Sequence, residues 1–259
     1  MKLLYLASQR FPTEKAYGIQ IAKMCEAFAN AGVDVELIAP TRKGELTNPF
    51  ECYGVKRNFR FTRITSPDFY LPGILDRVAF YIKQFISAER LVRYARKNGA
   101  DIFYTRDEPA AFFLNLSCLQ TVVFEAHNFS DRRRLFYRYF KKRGNVVVAI
   151  NKKLGDEFRA FSFKPDNVLT AHDGFDNAEF ANIPEKTKAR QLLGLPEDAK
   201  IVMYAGHLFA WKGADILAKA AIILPNMLFV FVGGISSDIE RFRNLYGVAG
   251  NILVVGYRP

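Results

Sequence analysis

Cysteine is scarce in this chain: Cys25, Cys52 and Cys118 are odd in number, far apart and never in a Cys-x-x-Cys pair. That pattern excludes a disulfide framework and a thiolate zinc site, and a reducing cytoplasm is the expected compartment. Histidine is as rare, and His127, His172 and His207 are scattered without an acidic cluster, so no metal site is expected. No run approaches the ~18 apolar residues of a membrane span, and Gln9 and Arg10 end the first apolar stretch before it could serve as a signal-peptide core. Acids are outnumbered, 26 against 37 Lys and Arg, for a net charge of +11. The excess favours an anionic partner such as phosphate, lipid headgroup or nucleic acid, and charge alone does not choose among them. Two phosphate-binding motifs are also missing. No Gly-x-Gly-x-x-Gly follows residues 3–7, and a P-loop would need Gly at Trp211, which disfavours dinucleotide binding of the usual kind.

What the chain does have is alternation. Residues 3–7 form an apolar run, Ile21, Cys25 and Phe28 recur at helical spacing up to Gly32, and Val33, Val35 and Leu37 alternate with Asp34 and Glu36. Strand, helix, strand implies a parallel pair. After a poorly patterned stretch with one possible strand near 59–64, Leu75, Val78, Ile82 and Phe85 open a helix that Asn98-Gly99 stops. Strands are expected at 101–105, 121–125 and 145–150, and a helix from Asn151. Later, residues 201–205 run apolar into Gly206, and Ile216, Leu217, Ala220, Ala221 and Leu224 recur at three and four residues after Gly213. The intervening loop holds His207, Trp211 and Lys212. A loop between a buried strand's carboxyl end and a helix start is where doubly wound α/β proteins bind ligands, and free N–H groups with a nearby Lys favour an anion.

Gly206-His207-Leu208 followed by Trp211-Lys212-Gly213, a helix, and residues 228–234 ending in Gly233-Gly234 resembles the start of the nucleotide-binding domain of GT-B glycosyltransferases, specifically the retaining group of family 4. The resemblance implies two Rossmann-like doubly wound parallel-sheet domains: 1–169 on the acceptor side, a hinge and linker over 170–200, and 201–259 as the first, incomplete part of the nucleotide-sugar domain. It implies transfer of a sugar from a nucleotide diphosphate donor, with retention, to a saccharide or lipid-linked acceptor. No cofactor, no metal and no nucleic acid partner are implied. Gly206, His207, Lys212 and Gly213, with Gly18 of the first loop, would hold the diphosphate; Gly233, Gly234, Gly256 and Tyr257 would stand on the base side. His207 occupies an Arg position of the family, which keeps a hydrogen-bond donor but gives up a permanent charge and its bidentate fork. The plain alternative is a helix-start loop in which Trp211 packs and Lys212 is solvated.

Thr121-Val-Val-Phe-Glu-Ala-His127 resembles the family's strand ending in Glu-x-His, which implies that His127 faces the cleft near the acceptor or transferred sugar as the catalytic residue. Its alternative is a histidine hydrogen-bonded in the domain wall. Arg106 likewise resembles a family arginine at a strand end, or is a structural salt bridge to Asp107 or Glu108. For Gly18, where many members have a Gly-Gly pair, a loop glycine needing positive φ is the competing explanation. Residues 168–176 with Phe180 resemble the hinge segment, and the charged stretch to Arg190 reads as linker. Residues 130–144 form a basic amphipathic helix, with Arg134, Arg138, Lys141 and Lys142 opposite Phe136, Tyr139 and Phe140. It is either an anionic membrane surface, giving a cytoplasmic protein peripheral at the inner face of the membrane, or an ordinary docked helix. The family's Glu-x7-Glu segment does not occur before Pro259. The second expectation is therefore a non-catalytic fragment or interaction module of the same fold.

Overall fold

The computed structural model describes residues 1–13, 15–43, 48–73, 75–117, 120–256 and 258, with the side chains of 178 and 179 left out. Cys118 and Tyr257 lie outside the described residues. The chain divides into two compact units, Met1–Gly174 and Phe175–Pro259.

The first unit alternates β1 (Lys2–Leu6), α1 (Ala16–Asn30), β2 (Asp34–Pro40), α2 (Pro49–Tyr53), β3 (Arg60–Ile64), α3 (Leu75–Asn98), β4 (Ile102–Thr105) and α4 (Glu108–Ser117). It continues with β5 (Thr121–Ala126), α5 (Arg134–Arg143), β6 (Val146–Ala149), α6 (Lys152–Ala160) and β7 (Val168–Thr170). Among the described residues its strands make one sheet of seven in the order β3-β2-β1-β4-β5-β6-β7, every pair parallel. The order reverses between β1 and β4, which places a switch point there, the crevice where open α/β sheets take ligands. Right-handed crossovers then put α1 on one face, over Leu3, Tyr5, Val35 and Leu37, and α3 to α6 on the other, over Leu4, Leu6, Phe103, Phe124 and Val147.

Local chemistry sets the element ends. Asn48 caps α2 by accepting from the Phe50 and Glu51 N–H groups, and Asn151 caps α6 by accepting from Leu154 N at 2.9 Å. The alternation in 33–37 marks a strand, and β2 is covered on both faces: buried Glu36 accepts from Thr62 Oγ1 at 2.7 Å and Tyr94 Oη at 2.6 Å. The helical stripe of Leu75, Val78, Ile82 and Phe85 does mark α3 but stays exposed. The helix is instead buried along Ala79, Lys83, Ser87, Ala88, Leu91, Val92 and Ala95.

The second unit holds α7 (Asn177–Phe180), α8 (Lys186–Leu192), β8 (Lys200–Ala205), α9 (Ala214–Ile223), β9 (Met227–Val232), α10 (Ser236–Tyr246) and β10 (Ile252–Gly256). The charged stretch before Arg190 thus folds as a helix, its end closed by the Arg190 guanidinium donating to the Pro196 and Ala199 carbonyls. Among the described residues its sheet has three parallel strands, β10-β9-β8, packed through Phe229, Phe231, Ala218, Ala221 and Phe242.

Candidate functional site

At the carboxyl edge of the first sheet, beside its switch point, a carboxylate is buried among hydroxyl, amide and imidazole groups. Glu125 sits near the end of β5 and is 2% exposed. It accepts from Tyr104 Oη of β4 at 2.8 Å and from Gln20 Nε2 of α1 at 3.2 Å, with Tyr5 Oη of β1 at 3.5 Å. His127, two residues on and just past the strand, brings Nε2 to 2.5 Å from Glu125 Oε1. Burial alone would raise the Glu125 carboxyl pKa, but the bonds from His127 and Tyr104 and the Arg106 charge outweigh it, and the carboxyl is held below its ordinary value. The same burial and the same negative charge push the Tyr5 and Tyr104 phenols up, so both stay protonated donors. A carboxylate only accepts, so the proton on the shared edge belongs to His127 Nε2, and Nδ1 is the ring nitrogen that lies outside the pair.

Gln20 and Arg106 extend the network. Arg106 Nη1 donates to Gln20 Oε1 at 2.7 Å, and Gln20 Nε2 also meets Asp173 Oδ1 at 2.5 Å. Arg106 therefore works through an amide, while Glu108 pairs with Arg133 and Asp107 accepts from the Ser8 N–H at 2.7 Å. The sequence pattern places Glu125 in the Glu-x-His motif without a role of its own, and gives none to Tyr104 or Gln20. The available signal was a carboxylate in an otherwise apolar strand, Thr121-Val-Val-Phe-Glu-Ala.

Gly18 lies inside the first turn of α1, not in the loop before it, and its φ is not positive. A Cβ there would stand 2.2 Å from Tyr53 Oη and 2.8 Å from Thr13 Cγ2. Tyr53 Oη bridges the Thr13 backbone, accepting from N and donating to O at 2.6 Å each. Close packing at this bridge is what requires glycine.

In the second unit the residues after β8 form a compact loop. Gly206 N donates to Val232 O at 2.9 Å and Gly233 N to Gly256 O at 2.7 Å, which ties the ends of β8, β9 and β10 together. Gly233, at φ +107°, has the Gly206 carbonyl oxygen 2.5 Å from where a Cβ would be, and a Cβ at Gly234 would stand 3.1 Å from Leu208 Cδ1 and from Ile239 Cγ1. Gly256 is also left-handed, at φ +82°. Buried Leu208 anchors the loop, and its neighbours form a column: the His207 ring stacks on Phe209 at 4.9 Å and 10°, and Phe209 on Trp211 at 6.1 Å and 24°. Trp211 is 77% exposed, and Lys212 Nζ lies 4.7 Å from its ring centre. Gly213, at φ +82°, turns the chain into α9, which no side chain caps. An uncapped helix start with an adjacent exposed Lys suits an anion.

Of the basic residues on α5, Arg134 pairs with Asp131 at 2.8 Å, Lys141 donates to the Phe161 carbonyl at 3.3 Å, and both lie over the Phe161 ring. Arg138 and Lys142 are exposed, while Tyr137 and Phe140 form the buried side. Among the described residues no group of His, Cys, Asp and Glu is placed to hold a metal ion, and no helix is long and apolar enough to cross a membrane.

Comparison with known proteins agrees with this architecture. Among curated relatives, the D-inositol 3-phosphate glycosyltransferase 1 of Catenulispora acidiphila is 36% identical over 103 residues, 36% of this chain and 24% of the relative. The chain spans about a quarter of the length of the curated relatives it matches. Among solved structures, Anabaena Alr3699/HepE, known in complex with UDP and with UDP-glucose, superimposes with a TM-score of 0.67 at 17% identity, covering 100% of this chain and 70% of that one. A glycosyltransferase from Rickettsia africae gives 0.72 at 14% identity, covering 99% and 68%. At these identities the structural likeness is one of fold, the α/β GT-B type. The family model for Glycosyltransferase Family 4 matches residues 18–179, more than half of the chain, and the chain belongs to that family.

Proposed function

We propose that this chain serves a retaining sugar transfer from a nucleotide diphosphate sugar to a saccharide or lipid-linked acceptor. The observation that carries the reading is the uncapped start of α9, entered through left-handed Gly213 with exposed Lys212 immediately before it. The helix N–H groups and the ammonium would stabilise negative charge growing on the departing diphosphate, so the chemistry proposed needs no metal. His207 would add an edge hydrogen bond, its faces being stacked against Phe209. The glycines 233, 234 and 256 would allow the base side of the donor to approach backbone. In the first unit, His127 would orient a sugar or acceptor hydroxyl through Nδ1, its ring fixed by Glu125. That Alr3699/HepE has been solved with UDP-glucose supports the donor class.

The acceptor side extends to a membrane. Arg134, Arg138, Lys141 and Lys142 would meet anionic headgroups, each adding about 1 kcal/mol near such a surface, in a cytoplasmic protein held peripherally at the inner face.

Calorimetry with UDP, GDP and ADP tests the donor reading. One of the three binds, and Lys212→Ala weakens that binding by about 1.5–3 kcal/mol, the range of a charge-assisted contact. Unchanged affinity of the variant for the nucleotide that binds would remove Lys212 from the site.

A further inference from the structure

The first half of α3 has no sheet beneath it. At 24 residues the helix is about 36 Å long, whereas the strands it packs on, β1, β2 and β3, have five, seven and five residues and span only about 17–23 Å. Helices in a parallel sheet run back from its carboxyl edge, so the surplus length stands proud of that edge, the edge where Glu125 and His127 lie. Its contribution to the core begins only at Ala88.

The overhang is apolar and exposed. Tyr70 from the preceding loop and Leu75, Val78, Phe80, Tyr81 and Ile82 of the helix are each between 45% and 68% exposed. At 100° per residue the helical ones spread over about 220° of its circumference. The remaining sector holds Ala79 and Lys83, which are buried, and Lys83 fastens the loop by pairing with Asp68 at 3.7 Å and lying 3.6 Å from the Tyr70 ring centre. A partner helix or sheet covers a stripe of about 100°. Apolar side chains spread this widely suit a fluid apolar medium instead.

The charge around the overhang indicates which medium. A run of ring contacts crosses the helix layer from Phe85 to Phe113 of α4 at 6.2 Å, to Phe112 at 5.8 Å, and on to Phe136 of α5 at 5.6 Å. The 3-10 turn before α5 and the first turns of that helix follow the carboxyl end of β5, with Arg132, Arg134 and Arg138 exposed. An aromatic and aliphatic tip next to a cationic helix start is the composition that enters the headgroup boundary of an anionic bilayer.

We propose that residues 69–71 and the overhanging start of α3 form a bilayer-insertion element that seats the first unit on an anionic lipid surface with its carboxyl edge close to the lipid. The inference rests on the membrane part of the function proposed above, and not on the transfer chemistry or on Lys212.

The test is co-sedimentation of the full chain with phosphatidylcholine vesicles with and without about one-third phosphatidylglycerol, at low salt and at about 1 M NaCl, where the Debye length is about 3 Å. Three proteins are compared: the unaltered chain, Phe80→Ser/Tyr81→Ser/Ile82→Ser, and Arg134→Ser/Arg138→Ser. The unaltered chain binds anionic vesicles and keeps part of that binding in high salt. The α3 variant loses at least about tenfold at both salts while its thermal unfolding is unchanged, because the substituted side chains are already exposed. The arginine variant loses binding at low salt only. An α3 variant that binds like the unaltered chain overturns insertion and leaves the basic-surface reading standing, and no vesicle binding by any of the three overturns both. Insertion is also overturned by a lipid-free dimer that the α3 substitutions dissociate, which would make a second copy the occupant. Strong amide hydrogen-exchange protection of residues 75–85 in the lipid-free monomer, beyond that of a solvated helix, would show that the chain covers this segment itself and has the same force.

Discussion

The Glu125 carboxylate and the His127 imidazole meet at 2.5 Å across the end of β5, with the carboxylate buried and the imidazole partly open to solvent. Two residues of separation in a strand carry a side chain back to the same face, and the chain leaves β5 at Ala126, so the pair brackets the strand end. The buried member fixes the orientation of the open one.

Removing the acceptor strands several donors at once. Glu125→Leu leaves Tyr104 Oη, Tyr5 Oη and His127 Nε2 without their partner, at about 1–3 kcal/mol for each group that finds no water. We expect a loss of about 3 kcal/mol or more in the first unit. Glu125→Gln keeps one acceptor oxygen and the shape, and costs about 1–2 kcal/mol. Urea titration followed by the near-ultraviolet tyrosine signal measures both, and equal losses for the two variants would contradict the network.

Acid should weaken the first unit through the same group. Because the folded Glu125 pKa is depressed, its contribution is fully present above the ordinary glutamate value of about 4.3 and is lost as pH falls through the lower folded value. Stability measured between about pH 6 and pH 3 therefore falls more steeply in the unaltered chain than in Glu125→Gln. Parallel curves would show that Glu125 is not held ionised by its neighbours.

Two left-handed glycines of the second unit should respond differently to alanine. At Gly233 the new Cβ meets the Gly206 carbonyl at 2.5 Å, backbone against backbone, so Gly233→Ala should cost about 3 kcal/mol or more. At Gly213, φ +82° with open space around it, only the left-handed conformation is penalised, at about 1–2 kcal/mol. The chain has a single tryptophan, Trp211, so its fluorescence during urea unfolding reports this unit alone. A Gly213 variant less stable than the Gly233 variant would reverse the argument.

Gly18→Ala is expected to lose at least about 2 kcal/mol by forcing Tyr53 Oη off the Thr13 backbone. Adding Tyr53→Phe relieves the contact with the hydroxyl but forfeits both of its bonds. The double variant should therefore be less destabilised than the two single losses added together. Strict additivity in a double-mutant cycle, read by tyrosine circular dichroism, would mean that the two residues do not meet.

Much of this protein was written in local pattern. Apolar runs of four to seven residues separated by helical spacings specify parallel strands and crossover helices, because each element must bury its own face whatever surrounds it. The loop from Gly206 to Gly213 was legible for the same reason: a left-handed turn between strand and helix needs glycine locally, at Gly213 above all. What the pattern could not contain was which polar groups meet. Glu125, Tyr104, Tyr5 and Gln20 come from β5, β4, β1 and α1, and only the switch in strand order sets their hydroxyl, amide and carboxylate groups side by side. Glu36, spaced like a solvent-facing residue, is buried because helices cover both faces of its sheet. The stripe from Leu75 to Phe85 had the spacing of a buried face, yet α3 outruns the strands beneath it. Periodicity records which side of an element is apolar; the length of sheet under that element decides whether the side is covered.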